Sequence, residues 1–473
     1  MTSPLDATPR NRSFASQPKR SAEVIVVGAG LSGLNAAHEL QQAGISCLVL
    51  DAHDSLGGRL RNGGCGAWID HVHQPRAWNL VRRLGIDMVE EKLAAGKSVV
   101  QGAGSFEHGS VPNFSEDDRR SYTRVRDNLE GLSQRVDLNN PTLWLPNFGS
   151  MNVRELVVSQ GATPVVKKLA DAWTAGIFGL TAEDVPALYF LLVCKTAGGF
   201  LNAIGQPVRS GRRLRFRAGA PSICDALSER LASGSVLLSQ SVQWIDQTSS
   251  NKVVLTTEAG EVFQCSRVVL AVPTASYRNI DFSPALGEHK QWMQEFEQPG
   301  FHAEVFLAYE NPWWREQGLN GFAQSVDGPV WETRDSSCDT GGLYSLTCVV
   351  AGEAGRQLWN MSESQRRESL LAHISDLFSE FNPFPDPMEI MWSGFEPDSN
   401  IRHVPCPALP TCYMRDLAQD QWAIEDRLHF VGSETSHVWR GQIEGALASG
   451  SRGAEEVRSV MRPVAQDLMI PRL

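Results

Sequence analysis

The chain has no window that approaches the roughly 18–20 uninterrupted apolar residues of a membrane-spanning helix. Its best run, Ala187 to Cys194, stops at Lys195, so a soluble protein with no membrane partner is expected. Cysteine is sparse and scattered. The nine residues (Cys47, Cys65, Cys194, Cys224, Cys265, Cys338, Cys348, Cys406, Cys412) form no CxxC pair and no His spacing suited to zinc, which predicts no metal centre and a reducing compartment. Positive charge is in deficit: 43 Lys and Arg against 54 Asp and Glu leave a formal charge of -11. Phosphate binding needs clustered cations facing one way, so nucleic acid is excluded as a partner. No internal repeat or long low-complexity segment is present. Residues 1–20 carry Arg10, Arg12, Lys19 and Arg20 and lack the apolar run of a signal peptide, so they read as a disordered tail.

What remains is ordinary globular composition, 42% hydrophobic and 21% charged. A length of 473 residues exceeds what one core usually organises, which predicts two intertwined domains. The terminal Pro471-Arg472-Leu473 loosely matches a peroxisomal Ser-Lys-Leu signal, with Pro where a small residue belongs. Cytoplasmic and peroxisomal locations both stay open, and a homodimer is compatible with the sequence.

Glu23-Val-Ile-Val-Val27 is a β-branched apolar run that reads as a buried strand, leading directly into Gly28-Ala-Gly-Leu-Ser-Gly33. Leu34, Ala37 and Leu40 follow at helical spacing, Gly44 ends the turn, and Cys47-Leu-Val-Leu50 forms a second strand ending at Asp51. This βαβ unit is the context that GxGxxG requires to mean dinucleotide binding. Gly28 permits the tight turn, Gly30 lets backbone approach a pyrophosphate, and Gly33 lets helix pack on strand; the helix N-terminus then faces the phosphates. Asp51 is placed to accept hydrogen bonds from ribose hydroxyls.

Further along, Pro221 to Leu231 reads as a helix, and Ser235 to Ile245, Lys252 to Thr257 and Arg267 to Val272 as strands returning to the first domain. A strand at Ala303 to Ala308 and the loop Asn311-Pro-Trp-Trp314 precede a helix opened by the capping box Ser362-Glu-Ser-Gln365, with core face Leu370, Ile374, Leu377 and Phe381. Arg427-Leu-His-Phe-Val431 is a last strand, and Gln442 to Met461 a last helix.

GxGxxG does not separate NAD from FAD. Leu56-Gly-Gly-Arg59, however, resembles the GGR segment of the FAD-dependent amine oxidase superfamily, and His429-Phe-Val-Gly-Ser-Glu-Thr435 with Trp439-Arg-Gly-Gln-Ile-Glu-Gly-Ala446 resembles its C-terminal signature, FAGTET followed by W-x-G-x-x-E-G-A. Gly66-Ala-Trp-Ile69, Arg217 to Leu231 and Gln240-Ser-Val242 continue the likeness. The resemblance implies an α/β fold: a Rossmann-type FAD-binding domain in three segments (21–94, 216–280, 401–473) with an α+β substrate domain inserted in two (95–215, 281–400). It implies FAD held by Gly28, Gly30, Leu31, Ser32 and Gly33, by Asp51 and Ala52, and by Gly58 and Arg59 at the pyrophosphate. Ala67 and Trp68 would lie beside the isoalloxazine, Val242 at the adenine, and Gly432, Glu434, Gln442, Ile443 and Ala446 along the ribityl chain and ring. Trp439 is implied to border the active site.

The chain also departs from the family. A lysine commonly holds a water against the flavin; counting back from Tyr309-Glu-Asn-Pro-Trp-Trp314 puts Glu304 in its place, with His302 two residues earlier. Glu304 reads as a base, a counter-ion for a substrate amine, or an outward-facing strand residue. The aromatic cage loses a member at Gln442. A cysteinyl flavin aligns at Cys406 or at Cys412, although buried unreactive cysteine is the favoured reading of both. Glu304, His302, Gln442 and Trp439 are the catalytic candidates, with Trp68 and the Trp313-Trp314 loop as further walls. The expected reaction is hydride transfer from a carbon next to nitrogen of a small amine to flavin, with dioxygen as second substrate and hydrogen peroxide as product. Desaturation or oxidative cyclisation of a non-basic metabolite is the rival, and a non-catalytic flavin scaffold the third reading.

Overall fold

The computed structural model describes residues 20–61, 68–91, 96–108, 110–205, 213–298, 300–338, 341–381, 384–393, 406–409 and 422–462. Ala67, Cys412 and Pro471 to Leu473 lie outside them, as does the tail up to Lys19.

Buried on both faces, the run Val24–Val27 has every residue enclosed, which is why it is apolar without alternation. It sits at the centre of a five-stranded sheet in the order Leu428–Phe430, Arg267–Leu270, Val24–Val27, Cys47–Leu50, Val236–Leu237, all parallel. Helix Leu31–Gln42 leaves the first strand through the glycine turn and packs along helix Ile443–Met461. A second five-stranded sheet holds Val242–Asp246, Val253–Thr257 and Val262–Cys265.

The stretch 235–245, read as one strand, is two. Val236–Leu237 extends the parallel sheet, and Val242–Asp246 opens the second one; Ser239 between them takes a positive φ of 55°, which turns the chain from one sheet to the other. Arg20, assigned to the tail, pairs in parallel with Phe263 at the edge of that second sheet.

A seven-stranded sheet runs Glu389–Ser393, His302–Tyr309, Tyr344–Ala351, Val330–Asp335, Leu319–Gln324, Lys97–Val100, Gly104–Glu107. A helical layer covers one side of the cavity. The polar stretch at Ser115 opens a 20-residue helix, Glu116–Arg135, whose first turn is acidic and whose N-cap Ser115 accepts from the Asp118 amide. Ala187–Thr196, apolar all round, is buried on nearly all sides, as a helix without a polar face must be. Helix Glu363–Leu377 carries the expected capping box and buries Leu370, Ile374 and Leu377. The Trp313-Trp314 pair is not a cavity wall: both indoles are buried in the core under the seven-stranded sheet, and Trp314 Nε1 donates to Asp335 Oδ2 at 2.9 Å. Among the described residues no helix is long and apolar enough to cross a membrane.

The glycine turn allows no side chain at its third position, because a Cβ on Gly33 would lie 2.1 Å from the carbonyl oxygen of Gly28. Gly33→Ala is therefore expected to destabilise the fold by at least the roughly 1–3 kcal/mol typical of overpacking. Chemical denaturation measures it, and a loss below 0.5 kcal/mol, to order of magnitude, would show that the turn relaxes freely.

Candidate active site

One long cavity of about 420 Å³ runs between the parallel sheet and the seven-stranded sheet. At one end it is lined by Gly28, Gly30, Leu31 and Ser32 of the turn and helix start. The helix N-cap is Gly30, with no side-chain cap and no acidic residue in the first turn, so the first amides are left for an anionic ligand. Gly33 lies behind this surface and sets the helix against its strand. Asp51 also lines the cavity with Ala52; its carboxylate accepts from the amides of Ala29 at 2.6 Å and His53 at 2.9 Å, tying the end of the second strand to the turn.

Gln240, Ser241 and Val242 close this end. The buried Gln240 Oε1 has no hydrogen-bond partner among the described residues, an acceptor without a donor in the wall where the resemblance puts adenine. An uncapped helix start, a carboxylate and this acceptor arrayed along one groove fit FAD.

Midway, Gly58 and Arg59 face Gly432, Ser433 and Glu434 across the cavity. Arg59 Nη2 donates to Glu434 Oε2 at 2.7 Å and to Ser433 Oγ at 2.5 Å. Arg59 and Glu434, expected to contact the cofactor separately, thus hold each other, joining residues 375 apart in sequence. Gln442, Ile443 and Ala446 line the next stretch, at the start of helix Ile443–Met461. The Trp439 backbone takes φ 44° and its Nε1 donates to the His73 carbonyl at 2.7 Å; it is not among the residues that line the cavity. In the same motif Glu444 accepts from the amides of Arg76 and Ala77 at 3.2 and 2.8 Å, capping helix Pro75–Leu84.

The far lobe is built by strand alternation. Antiparallel register aligns Ser393, Glu304, Val349 and Glu332 in one row across four strands, and all four line the cavity. At the ~4.8 Å strand spacing, the Cα atoms of Glu304 and Glu332 stand about 10 Å apart. His302 and Arg334 lie two residues along on the same face, as the period of two requires. Trp331 enters at a β-bulge between Val330 and Glu332, the kind of extra residue that re-aims a side chain. It faces the cavity, as does Trp68.

The charges of this lobe form a chain. Arg334 donates through Nε to Glu332 and through Nη1 to Glu91 at 3.1 Å, and its guanidinium lies 5.4 Å from the Trp68 ring centroid. Arg213 Nε lies 3.8 Å from Glu91 Oε2. Burial works against the Arg334 charge, but Glu332 and Glu91 hold its pKa above the ordinary range. The same burial, with Arg334 nearby, lowers Arg213. Arg334 and Arg213 share Glu91 and Glu332, with Asp70 also acting on Arg213, and Glu304 stands outside this chain of pairs. The Glu304 side chain makes no hydrogen bond with the described residues, and it lines the cavity. Burial first and the Glu332 charge second push its carboxyl up to about 7.

Cys406, one of two candidates for a flavin linkage, is fully buried in the helical layer. It contacts Tyr189 Oη at 3.5 Å, and burial raises its thiol to about 11; it is not part of the cavity wall. Among the described residues no group of three or more His, Cys, Asp or Glu could hold a metal. Glu332, Arg334, Arg213, Trp331 and Ser393 were not among the residues picked out from sequence. The alternation in Trp331-Glu-Thr-Arg334 was the available signal, but it does not say which strands lie beside it.

The profile of the family described as "Flavin containing amine oxidoreductase" matches residues 31–458, and the chain belongs to that family. It is an FAD-dependent oxidoreductase with an α/β fold, a Rossmann-type FAD-binding domain joined to a substrate domain. It is 26% identical over 473 residues to "Amine oxidase [flavin-containing] B" of Homo sapiens, covering 94% of this chain and 88% of that one. Wild-type putrescine oxidase bound to putrescine superposes with a TM-score of 0.84 at 23% identity, over 93% of this chain and 99% of that one. Cyclohexylamine oxidase from Brevibacterium oxydans IH-35A gives 0.84 at 21%, with the same coverage.

The Arg59–Glu434 pair makes a measurable prediction. Arg59→Met leaves the Glu434 carboxylate, 5% exposed, without its partner. That is expected to cost about 1–3 kcal/mol, toward the lower end because Arg59 is partly solvated. Adding Glu434→Gln in the same chain should restore part of the loss, since no uncompensated charge remains. Denaturation of the two variants measures the coupling; equal losses would show the pair to be uncoupled.

Proposed function

We propose that the protein oxidises a small amine, removing hydride from the carbon next to nitrogen and returning the electrons to dioxygen as hydrogen peroxide. Bound FAD supplies the two-electron acceptor for that hydride. The observation that carries the reading is Glu304, a carboxyl in the cavity wall with no side-chain partner among the described residues, beside a second carboxylate, Glu332, whose buried Oε2 has no hydrogen-bond partner among them either. Anionic acceptors that the neighbouring arginines leave unmatched suit a cationic ligand. A non-basic metabolite, the rival reading, would leave them unmatched.

Amines arrive as ammonium ions and must lose a proton before they can release hydride. Burial between Trp68 and Trp331 disfavours the ammonium charge and lowers its pKa. A carboxylate oxygen of Glu304 is suited to receive the proton, because a group titrating near the working pH both takes and returns it readily. His302 and Gln442 shape the same wall. The aromatic surface comes from Trp68 and Trp331, on elements other than the one that carries Gln442.

The sign of the pH dependence follows. Below about pH 7 Glu304 is protonated and offers no charge to the ammonium; above it the carboxylate does. kcat/KM for an amine is expected to rise through pH 7, and Glu304→Gln should remove that limb and lower kcat/KM about 10- to 100-fold, the worth of a charge-assisted hydrogen bond. Anaerobic flavin bleaching across amines and neutral metabolites, followed by readmission of air and peroxide assay, tests the reaction itself. Bleaching by neutral compounds alone would overturn the proposal.

A further inference from the structure

We infer that the substrate carries a carboxylate as well as its amine, and that Arg213 with Trp68 receives it. The inference rests on the amine-oxidising reading above and names the substrate class as amino acids or other amino carboxylates.

Three observations carry it. Arg213 is under-used: among the described residues its one ionic contact, Nε to Glu91 Oε2 at 3.8 Å, is beyond hydrogen-bond range, and its buried Nη1 has no hydrogen-bond partner among them. Arg334 beside it, by contrast, spends Nε and Nη1 on Glu332 and Glu91. Secondly, both guanidinium groups pack side by side against Gly205 in the cavity wall. The position that a methyl group would take on Gly205, in the cavity wall, lies 3.2 Å from Arg334 Nη2, 3.3 Å from Arg213 Nη1 and 3.4 Å from Arg213 Nη2. Thirdly, the strands Trp68–Asp70 and Arg213–Phe216 are antiparallel neighbours, with Arg213 opposite Asp70. They bring into the same lobe the buried Trp68 Nε1, another donor without an acceptor.

Donors without acceptors, two neighbouring cations in the cavity wall and a planar guanidinium fork call for an oxygen anion. A neutral or purely cationic ligand would leave those donors unmatched and add its own charge to a crowded pair of arginines. The acceptors Glu304 and Glu332 Oε2 occupy the neighbouring row of the same lobe. A zwitterion therefore answers both sets of groups at once and leaves the charge balance of the lobe unchanged. Sites built to hydrogen-bond a substrate group reject analogues that lack it by orders of magnitude.

The test uses the holoenzyme and matched pairs that differ only in the carboxylate: phenylalanine and phenethylamine, tryptophan and tryptamine, ornithine and putrescine. At least one carboxylated member is expected to exceed its partner tenfold or more in kcat/KM for flavin reduction. In Arg213→Met that ratio should fall toward one, with Arg213→Lys in between. A readout independent of turnover is titration of the flavin spectrum with benzoate against benzamide: benzoate should bind at least tenfold tighter, and Arg213→Met should erase the difference. If plain amines reduce the flavin, carboxylated ones do not, and benzoate binds no better than benzamide, the inference falls while amine oxidation stands. If benzoate binds through Arg213 but no amine of either kind reduces the flavin, the amine reading falls while the carboxylate subsite stands. Should Arg213→Met fail to fold, the matched pairs and the benzoate comparison on the unaltered protein decide.

Discussion

The close seating of helix Leu31–Gln42 on the strand it leaves is the constraint from which the rest follows. With a Gly28 carbonyl only 2.1 Å from where a Cβ on Gly33 would be, the turn admits backbone alone, and the helix start projects bare amides into the cavity. Asp51 then reaches the Ala29 amide, which locks the second strand to the turn. The C-terminal segment closes the other wall, where Glu434 meets Arg59 and Glu444 caps a neighbouring helix. Each of these contacts satisfies a polar group that burial would otherwise leave orphaned.

The far lobe follows a different logic. Packing Glu91, Glu332, Arg213 and Arg334 inside the protein costs desolvation that a hydrophobic lining would avoid. A fold stabilised only by burial would have no use for them. Their mutual pairing is also incomplete, since Arg213 Nη1 and Glu332 Oε2 both stay unmatched. Incomplete buried networks are costly, and their concentration in one lobe of a cavity, beside a carboxyl raised to about 7, is the pattern expected of groups kept for a ligand rather than for stability. Trp331, aimed inward by its bulge, and Trp68 keep the dielectric low around them.

Local pattern made the flavin end of this protein readable in advance. The Val24–Val27 strand, the glycine turn and Asp51 are consecutive or closely spaced, the C-terminal helix carries its own local motif, and periodicity with fixed motif spacing is a property of the chain alone. Contacts between distant segments were not readable in the same way. The split of 235–245 into two strands depends on which sheet offers a free edge. The burial of Trp313 and Trp314 depends on a core assembled from strands and helices on both sides of them, and the turn of Trp439 toward His73 on a carbonyl 366 residues away.

By itself, then, the amino-acid sequence determined the cofactor class, the βαβ turn and the family's signature elements, because these rest on neighbours within a few residues or on recurring motifs. Only the tertiary structure decided the character of the substrate lobe. Glu304 and Glu332 share a row because Val349 stands between them, and Glu91 meets Arg334 across 243 residues. Strand alternation tells which residues share a face, but register and strand order tell which faces meet, and those are set by the packing of the whole chain.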